Sequence, residues 1–227
     1  MKIFCIIPAY NEEKNIAKVI GEVKHFVDEV VVVDDCSADK TFEQAMTQNV
    51  SVLRHVINRG QGAALQTGNE YALNHGADII VHFDADGQFL AKEIKDVVQP
   101  IIDDEADVVL GSRFMGIDSN MPWSKKYIIM PIARLVNKIF LKSTLTDPQN
   151  GFRVLSRAAA QKITIMNDGS AHCSEILHKI YRYKLRVKEV PITVVYNEFG
   201  QTLLGGKGRG KGGIRILKDL FISFLID

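Results

Sequence analysis

Two carboxylates one residue apart, Asp84 and Asp86 in the run Asp84-Ala85-Asp86-Gly87-Gln88, carry the most specific chemistry in the sequence. They follow an apolar stretch, so a turn just past a strand would aim both side chains at one point. Carboxylates that close repel each other unless a cation sits between them. Oxygen-only donors, with Gln88 as a candidate third ligand, favour a hard ion such as Mg2+ or Mn2+ over zinc. The plainer reading is that Asp-Gly makes a turn and Asp84 caps the next helix.

Other apolar runs also end in polar residues. Pro8-Ala9-Tyr10-Asn11-Glu12 closes the first, with Asn11 as a credible helix cap and Glu12 and Glu13 suited to the positive end of that helix. Val33-Asp34-Asp35-Cys36-Ser37 closes the second, bringing a second carboxylate pair. The glycines of Arg59-Gly60-Gln61-Gly62-Ala63-Ala64 would let the chain approach a ligand closely, and the helix start there could receive a phosphate. That run is no dinucleotide fingerprint, because Leu65 stands where the third glycine is needed. Residues 205–211 match a P-loop only by count, since Gly212 replaces the required Ser or Thr.

The elements that must present these residues follow from hydrophobic pattern. Short β-branched runs at 3–7, 30–33, 52–56, 79–83 and 108–110 read as buried parallel strands. Amphipathic stretches at 12–25, 39–48, 61–75 and 91–102 read as the helices between them, which predicts an α/β fold with right-handed crossovers. In such sheets ligands bind beyond the carboxyl ends of the strands, where the polar runs lie. Past residue 111 the pattern predicts a helix near 174–183 and a strand within 187–195. The glycine-dense stretch 205–213 reads as a loop, and 214–226 as an amphipathic helix. The expected division is a main domain, 1–200, and a C-terminal extension, 201–227.

At 227 residues the chain suits one domain with a short appendage. A net charge of +1 removes bulk attraction to nucleic acid, so no nucleic-acid partner is expected. Cys5, Cys36 and Cys173 are odd in number and widely spaced, which fits neither a disulfide framework nor a zinc site and suits a reducing cytoplasm. The N-terminus reads as a strand and not as a secretory signal, and no apolar stretch approaches the roughly 20 residues that span a bilayer. His55, His82, His172 and Trp123 read as packing or surface residues.

PAYNE at 8–12, VVDDCSADKT at 32–41, NRGQGAA at 58–64, DADGQ at 84–88, GSRF at 111–114 and DPQNGFR at 147–153 resemble, in order and spacing, the motifs of family 2 glycosyltransferases with the GT-A fold. The nearest subset is similar to dolichol-phosphate-mannose synthases and other polyprenyl-phosphate glycosyltransferases. The resemblance implies a Rossmann-like, open, mainly parallel sheet flanked by helices. It also implies that Pro8, Tyr10, Glu12, Val33, Asp35 and Ala85 hold the donor's nucleoside and sugar, that Asp84, Asp86 and Gln88 hold the metal on its diphosphate, and that Arg113 meets phosphate. The implied reaction inverts the anomeric centre. In that subset a late loop supplies an Arg and a Lys to the phosphates. Here Asn197 and Leu203 stand in those places, with Lys207, Arg209 and Lys211 just downstream as substitutes.

A phosphate monoester acceptor, with a second pKa of about 6, is already largely ionised and needs no general base. A sugar hydroxyl would need one, and Asp147 and Glu175 are the candidates. The lipid-phosphate reading draws on 123–142, where Lys125, Lys126, Arg134, Lys138 and Lys142 accompany apolar residues and no acid intervenes. Lys125, Lys126 and Arg134 are the candidate acceptor-phosphate ligands. Such a segment suits an anionic membrane surface, or equally a surface helix with its apolar side in the core. The expected location is therefore the cytoplasm, including the cytoplasmic face of a membrane, reached by peripheral contact or through a membrane-embedded partner subunit. Two further readings compete: sugar nucleotidyl transfer, which would want a glycine- and arginine-rich loop where PAYNE stands, and a non-catalytic nucleotide-sugar binding module.

Overall fold

A computed structural model describes residues 1–115 and 145–195 of the chain. The expected basic segment at 123–142, the late-loop positions Asn197 and Leu203, the 205–213 loop, the C-terminal helix and the division at residue 200 lie outside the described residues.

Seven strands form one sheet: β1 (Ile3–Ala9), β2 (Glu29–Asp34), β3 (Ser51–Arg54), β4 (Ile79–His82), β5 (Val108–Ser112), β6 (Arg153–Ser156) and β7 (Val187–Pro191). Their order is β3-β2-β1-β4-β6-β5-β7. β1 pairs parallel with both β2 and β4, and β5 pairs parallel with β7. β6 runs antiparallel between β4 and β5. The helices are α1 (Ile16–Val23), α2 (Thr41–Met46), α3 (Gln61–Asn74), α4 (Ile94–Ile102, entered through a 3-10 turn at Ala91–Glu93), α5 (Arg157–Lys162) and α6 (His172–Arg182).

The central strands β1, β2, β4 and β5 are almost wholly apolar because both faces of the sheet are covered there. Side chains alternate along β1: Cys5 and Ile7 enter the layer with α1 and α4, while Phe4 and Ile6 enter the layer with α3, α5 and α6. β2 divides likewise, Val30 and Val32 to one side and Val31 and Val33 to the other. Each such side chain, removed from water, contributes roughly 1.5 to 3 kcal/mol.

The sequence pattern locates the strands and misplaces some ends. Helix α1 begins four residues later than expected, because residues 12–15 form a turn in which the Glu12 carbonyl accepts from the amides of Asn15 and Ile16. Asn11 therefore does not cap α1. Its backbone is left-handed (φ 56°), and its side-chain oxygen accepts from the Ala38 amide instead. β6 and α5 have no counterpart in the expected pattern. The 187–195 stretch pairs as a strand only to Pro191, with a single bridge from Val194 to Phe89 beyond it.

Candidate active site

The chain turns from β1 to β2 on one side of the sheet and reaches β4 on the other, so a crevice opens beyond the ends of β1, β2 and β4. A cavity of about 360 Å3 occupies it. Pro8, Tyr10 and Glu12 from the end of β1 line it, as do Asp35 after β2 and Asp84, Ala85 and Asp86 after β4. Asn58, Gly60, Gln61 and Ala64 complete the wall. A second cavity, of about 340 Å3, lies near Lys24, Asp28 and Glu29 at the opposite end of β2.

The aspartate pair behaves as two like charges in a confined place. Burial, then the neighbouring Asp86, pushes the Asp84 carboxyl up to about 7. Burial raises Asp86 as well, against the Gln88 amide that donates to its Oδ1 at 3.0 Å. Burial is likewise the main cause for Glu12, held above its ordinary value with the charges of Asp86 and Asp39 adding to it. Asp84 does not cap the helix that follows, which starts at Ala91 behind Leu90. Its Oδ1 instead accepts from Gln61 Nε2 at 2.9 Å, and the absence of a side chain at Gly151 makes room for it: a Cβ there would lie 2.5 Å from Asp84 Oδ2.

Other expected residues are placed differently. Asp35 lines the cavity, yet its carboxylate is tied to the neighbouring loop: Oδ1 to His55 Nδ1 at 2.7 Å and to the Arg59 amide at 2.9 Å, Oδ2 to the Gly60 amide at 2.6 Å. The Val33 side chain is fully buried beneath α3, one residue short of the rim. Gln88 does not line the cavity; its amide holds Asp86 and its carbonyl accepts from the Val195 amide. Arg113 is paired with Asp147. Lys125, Lys126 and Arg134 lie outside the described residues.

The glycines of the 59–64 run serve a different close approach from the one expected. A methyl group at Gly60 or Gly62 would collide with the backbone carbonyl of Asp168 or Asn167, so these glycines admit the 167–168 loop, while Gly60 also lines the cavity. The Gly62 amide, one of the donors exposed at the start of α3, is taken by the Asp168 carbonyl at 2.8 Å. Residue type and local spacing do not mark Gln61 or Gly151 as site residues, although they lie within NRGQGAA and DPQNGFR; their contact with Asp84 depends on α3 and β6 flanking β4.

The two candidate bases are both engaged. Asp147 is fully buried and accepts from Arg113 Nε at 2.6 Å, Arg113 Nη2 at 2.7 Å and Asn150 Nδ2 at 3.1 Å. Glu189 of β7 fixes the backbone before it by accepting from the amides of Thr146 and Asp147. Glu175 accepts from the amides of Met166 and Asn167 and from Lys179 Nζ. These bonds outweigh burial and hold it below the ordinary glutamate value.

The donor set suits a hard divalent ion. All its charged ligands are oxygens, and the raised pair gains most from a positive neighbour. No cluster of three or more His, Cys, Asp or Glu with metal-holding geometry occurs among the described residues, so two carboxylates would bind the ion with water and substrate oxygens completing its shell. Magnesium sites that also engage phosphate are commonly built this way.

Comparison with known proteins gives a consistent result. The profile described as Glycosyl transferase family 2 matches residues 4–164. The chain is 36% identical over 219 residues to the UDP-N-acetylglucosamine–dolichyl-phosphate N-acetylglucosaminyltransferase of Methanococcus voltae, covering 87% of each protein. It is 30% identical to the undecaprenyl-phosphate mannosyltransferase of Micrococcus luteus, covering 96% of this chain and 93% of that one. Among solved structures, glucosyl-3-phosphoglycerate synthase from Mycobacterium tuberculosis, in complex with Mn2+ and UDP-glucose, superposes with a TM-score of 0.73 at 19% identity. That match covers 96% of this chain and 77% of the other, and it establishes the expected GT-A fold. The same synthase has been crystallised with Mg2+ and UDP.

Proposed function

The chain belongs to glycosyl transferase family 2 and is a glycosyltransferase, and from that premise we propose that it moves a hexose from a nucleoside-diphosphate sugar to a polyprenyl phosphate with inversion. The observation that carries this reading is the convergence of Asp84 and Asp86 on a cavity whose wall is the PAYNE segment. Relatives named for lipid-phosphate acceptors span nearly the whole chain and support the acceptor class.

In the proposed reaction Pro8, Tyr10, Glu12 and Ala85 bind the donor, with Asp35 acting through the loop that it clamps and Val33 only supporting the rim from the core beneath. Asp84 and Asp86 hold Mg2+ or Mn2+, with Gln88 presenting Asp86 through its backbone amide. When bound, the ion would supply positive charge to the departing diphosphate. Gln61 and Gly151 keep Asp84 aimed into the cavity before substrate arrives, so little reorganisation is needed as charge develops. Arg113 meets phosphate from the position in which Asp147 holds it. Lys125, Lys126 and Arg134 position the acceptor.

The engagement of Asp147 and Glu175 favours a phosphate acceptor over a sugar hydroxyl, since neither carboxylate is disposed to take a proton. No helix among the described residues is long and apolar enough to cross a membrane. We place contact with the lipid at the cytoplasmic face, peripherally or through a partner subunit. Incubation with a panel of UDP- and GDP-sugars, Mn2+ or Mg2+ and undecaprenyl phosphate tests the reading by mass detection of a glycolipid. Sugar transfer to a glycan hydroxyl with none to the lipid phosphate would overturn it, and donor turnover of either kind removes the non-catalytic alternative.

A further inference from the structure

A second reactive cluster lies against residue 62 and beside Asp84, with a chemistry separate from the reaction described above. His172 opens helix α6, is 2% exposed, and packs where a Cβ on Gly62 would meet its own. Its Nδ1 stands 2.8 Å from the Gly169 carbonyl oxygen. A carbonyl only accepts, so Nδ1 carries the proton and the neutral ring presents its lone pair at Nε2. Cys173 Sγ lies 3.4 Å from that Nε2. A thiol, a base within reach of its proton, and a third group that orients the base together make the arrangement of an activated nucleophile.

Arg153 supplies the independent observation. It is 1% exposed, and neither Nη1 nor Nη2 has a hydrogen-bond partner among the described residues. A buried guanidinium needs anionic neighbours, and both the Asp84 carboxylate and the Cys173 sulfur lie within reach of its charge. The charged and titratable groups that face Cys173 are Arg153 from β6, His172 on its own helix and Asp84 after β4. Burial alone would push the thiol up; the Arg153 charge and the His172 hydrogen bond outweigh it and bring it down to about 6. Cys173 is only half-buried, in the first turn of an 11-residue helix whose amino end also favours a thiolate.

We propose that Cys173 is a standing thiolate and the chain's site of covalent modification by electrophiles and peroxides, with His172 taking the thiol proton and Arg153 providing the counter-charge. With a peroxide, the sulfur attacks one oxygen, an S–O bond forms as the O–O bond breaks, and hydroxide leaves. The sulfur is oxidised by two electrons to a sulfenic acid, and the peroxide is reduced. With iodoacetamide, an S–C bond forms and iodide leaves.

The other cysteines are internal controls. Cys5 is fully buried in β1, where burial drives its thiol far up. Cys36 is half-buried, and its Sγ approaches only the Val56 carbonyl, at 3.6 Å. Trypsin places the three in separate peptides. At pH 6 a thiol of pKa near 6 is about half ionised, whereas an ordinary one is ionised to about 0.3%. Its lower intrinsic nucleophilicity returns about a tenfold factor of that advantage. Iodoacetamide should therefore label Cys173 about tenfold faster than Cys36 at pH 6 and leave Cys5 unlabelled in the folded chain. Hydrogen peroxide with dimedone should mark the Cys173 peptide first. Arg153→Met should bring the Cys173 rate towards that of Cys36; should that variant not fold, the comparison within the unaltered protein decides alone. Labelling of Cys36 as fast as Cys173 overturns the proposal.

Discussion

Arg113 and Asp147 form a two-pronged ion pair, Nε to Oδ2 at 2.6 Å and Nη2 to Oδ1 at 2.7 Å, with Asp147 fully buried and the Arg113 side chain 16% exposed. The pair fastens the loop before β6 to the end of β5, and so sets where Gly151 meets Asp84. Removing one partner would leave the other charge partly desolvated and alone. Asp147→Ala is expected to cost about 3 to 5 kcal/mol in urea unfolding. A loss below about 1 kcal/mol would show that the pair is solvated and structurally idle.

Asp86→Ala removes one of the two carboxylates proposed to hold the ion. By analogy with the loss of one well-placed stabiliser of developing charge, the rate should fall about 10² to 10³-fold, or roughly 3 to 4 kcal/mol. Glycolipid formation at saturating Mn2+ measures it, and unchanged turnover would exclude the ion clamp.

Gly151→Ala tests the site without touching a charged residue. The new methyl would stand 2.5 Å from Asp84 Oδ2, so the carboxylate has to turn away. On the proposed reading the expected result is binding of the donor nucleotide, UDP or GDP, in the presence of Mn2+ weaker by about tenfold or more, since displacement of about 1 Å at such sites commonly costs 10² in rate. Calorimetry measures the binding, and affinity equal to that of the parent chain would mean that Asp84 does not hold the ion.

His82 makes stability depend on pH in a defined direction. It is 1% exposed in β4 with Nε2 at 2.8 Å from Asn69 Oδ1, and burial, then Arg153 and His172, lower its pKa to about 3. Between about 6.5 and 3 the unfolded chain binds a proton that the folded one refuses. The contribution is therefore complete above pH 6.5 and is lost as pH falls, by up to about 1.4 kcal/mol per unit. Denaturant titrations from pH 7 to 4 should show a shallower decline for His82→Gln than for the parent chain. Parallel declines would place the acid sensitivity elsewhere.

The strands β1 to β5 could be read from the sequence because a doubly covered parallel sheet demands uninterrupted apolar runs, and its ligand rim follows from chain direction. The aspartate pair was legible for a similar reason, since repulsion between near neighbours is a local property. β6 was not: four residues, Arg153–Ser156, give too short a pattern, and their antiparallel insertion between β4 and β5 is a long-range pairing. Insertion of that strand also brings Gly151 to Asp84 and buries Arg153 near Cys173.

The sequence alone determined which residues carry charge and which end of each strand they follow, because side-chain type and the alternation of strand and helix are written locally. Tertiary structure decided which of those charges meet. Arg113 faces Asp147, Asp35 holds the 55–60 loop, and the glycines at 60 and 62 admit the backbone of the 167–168 loop. Pairing of this kind depends on distances between segments far apart in the chain, which only packing the sheet and its helices sets.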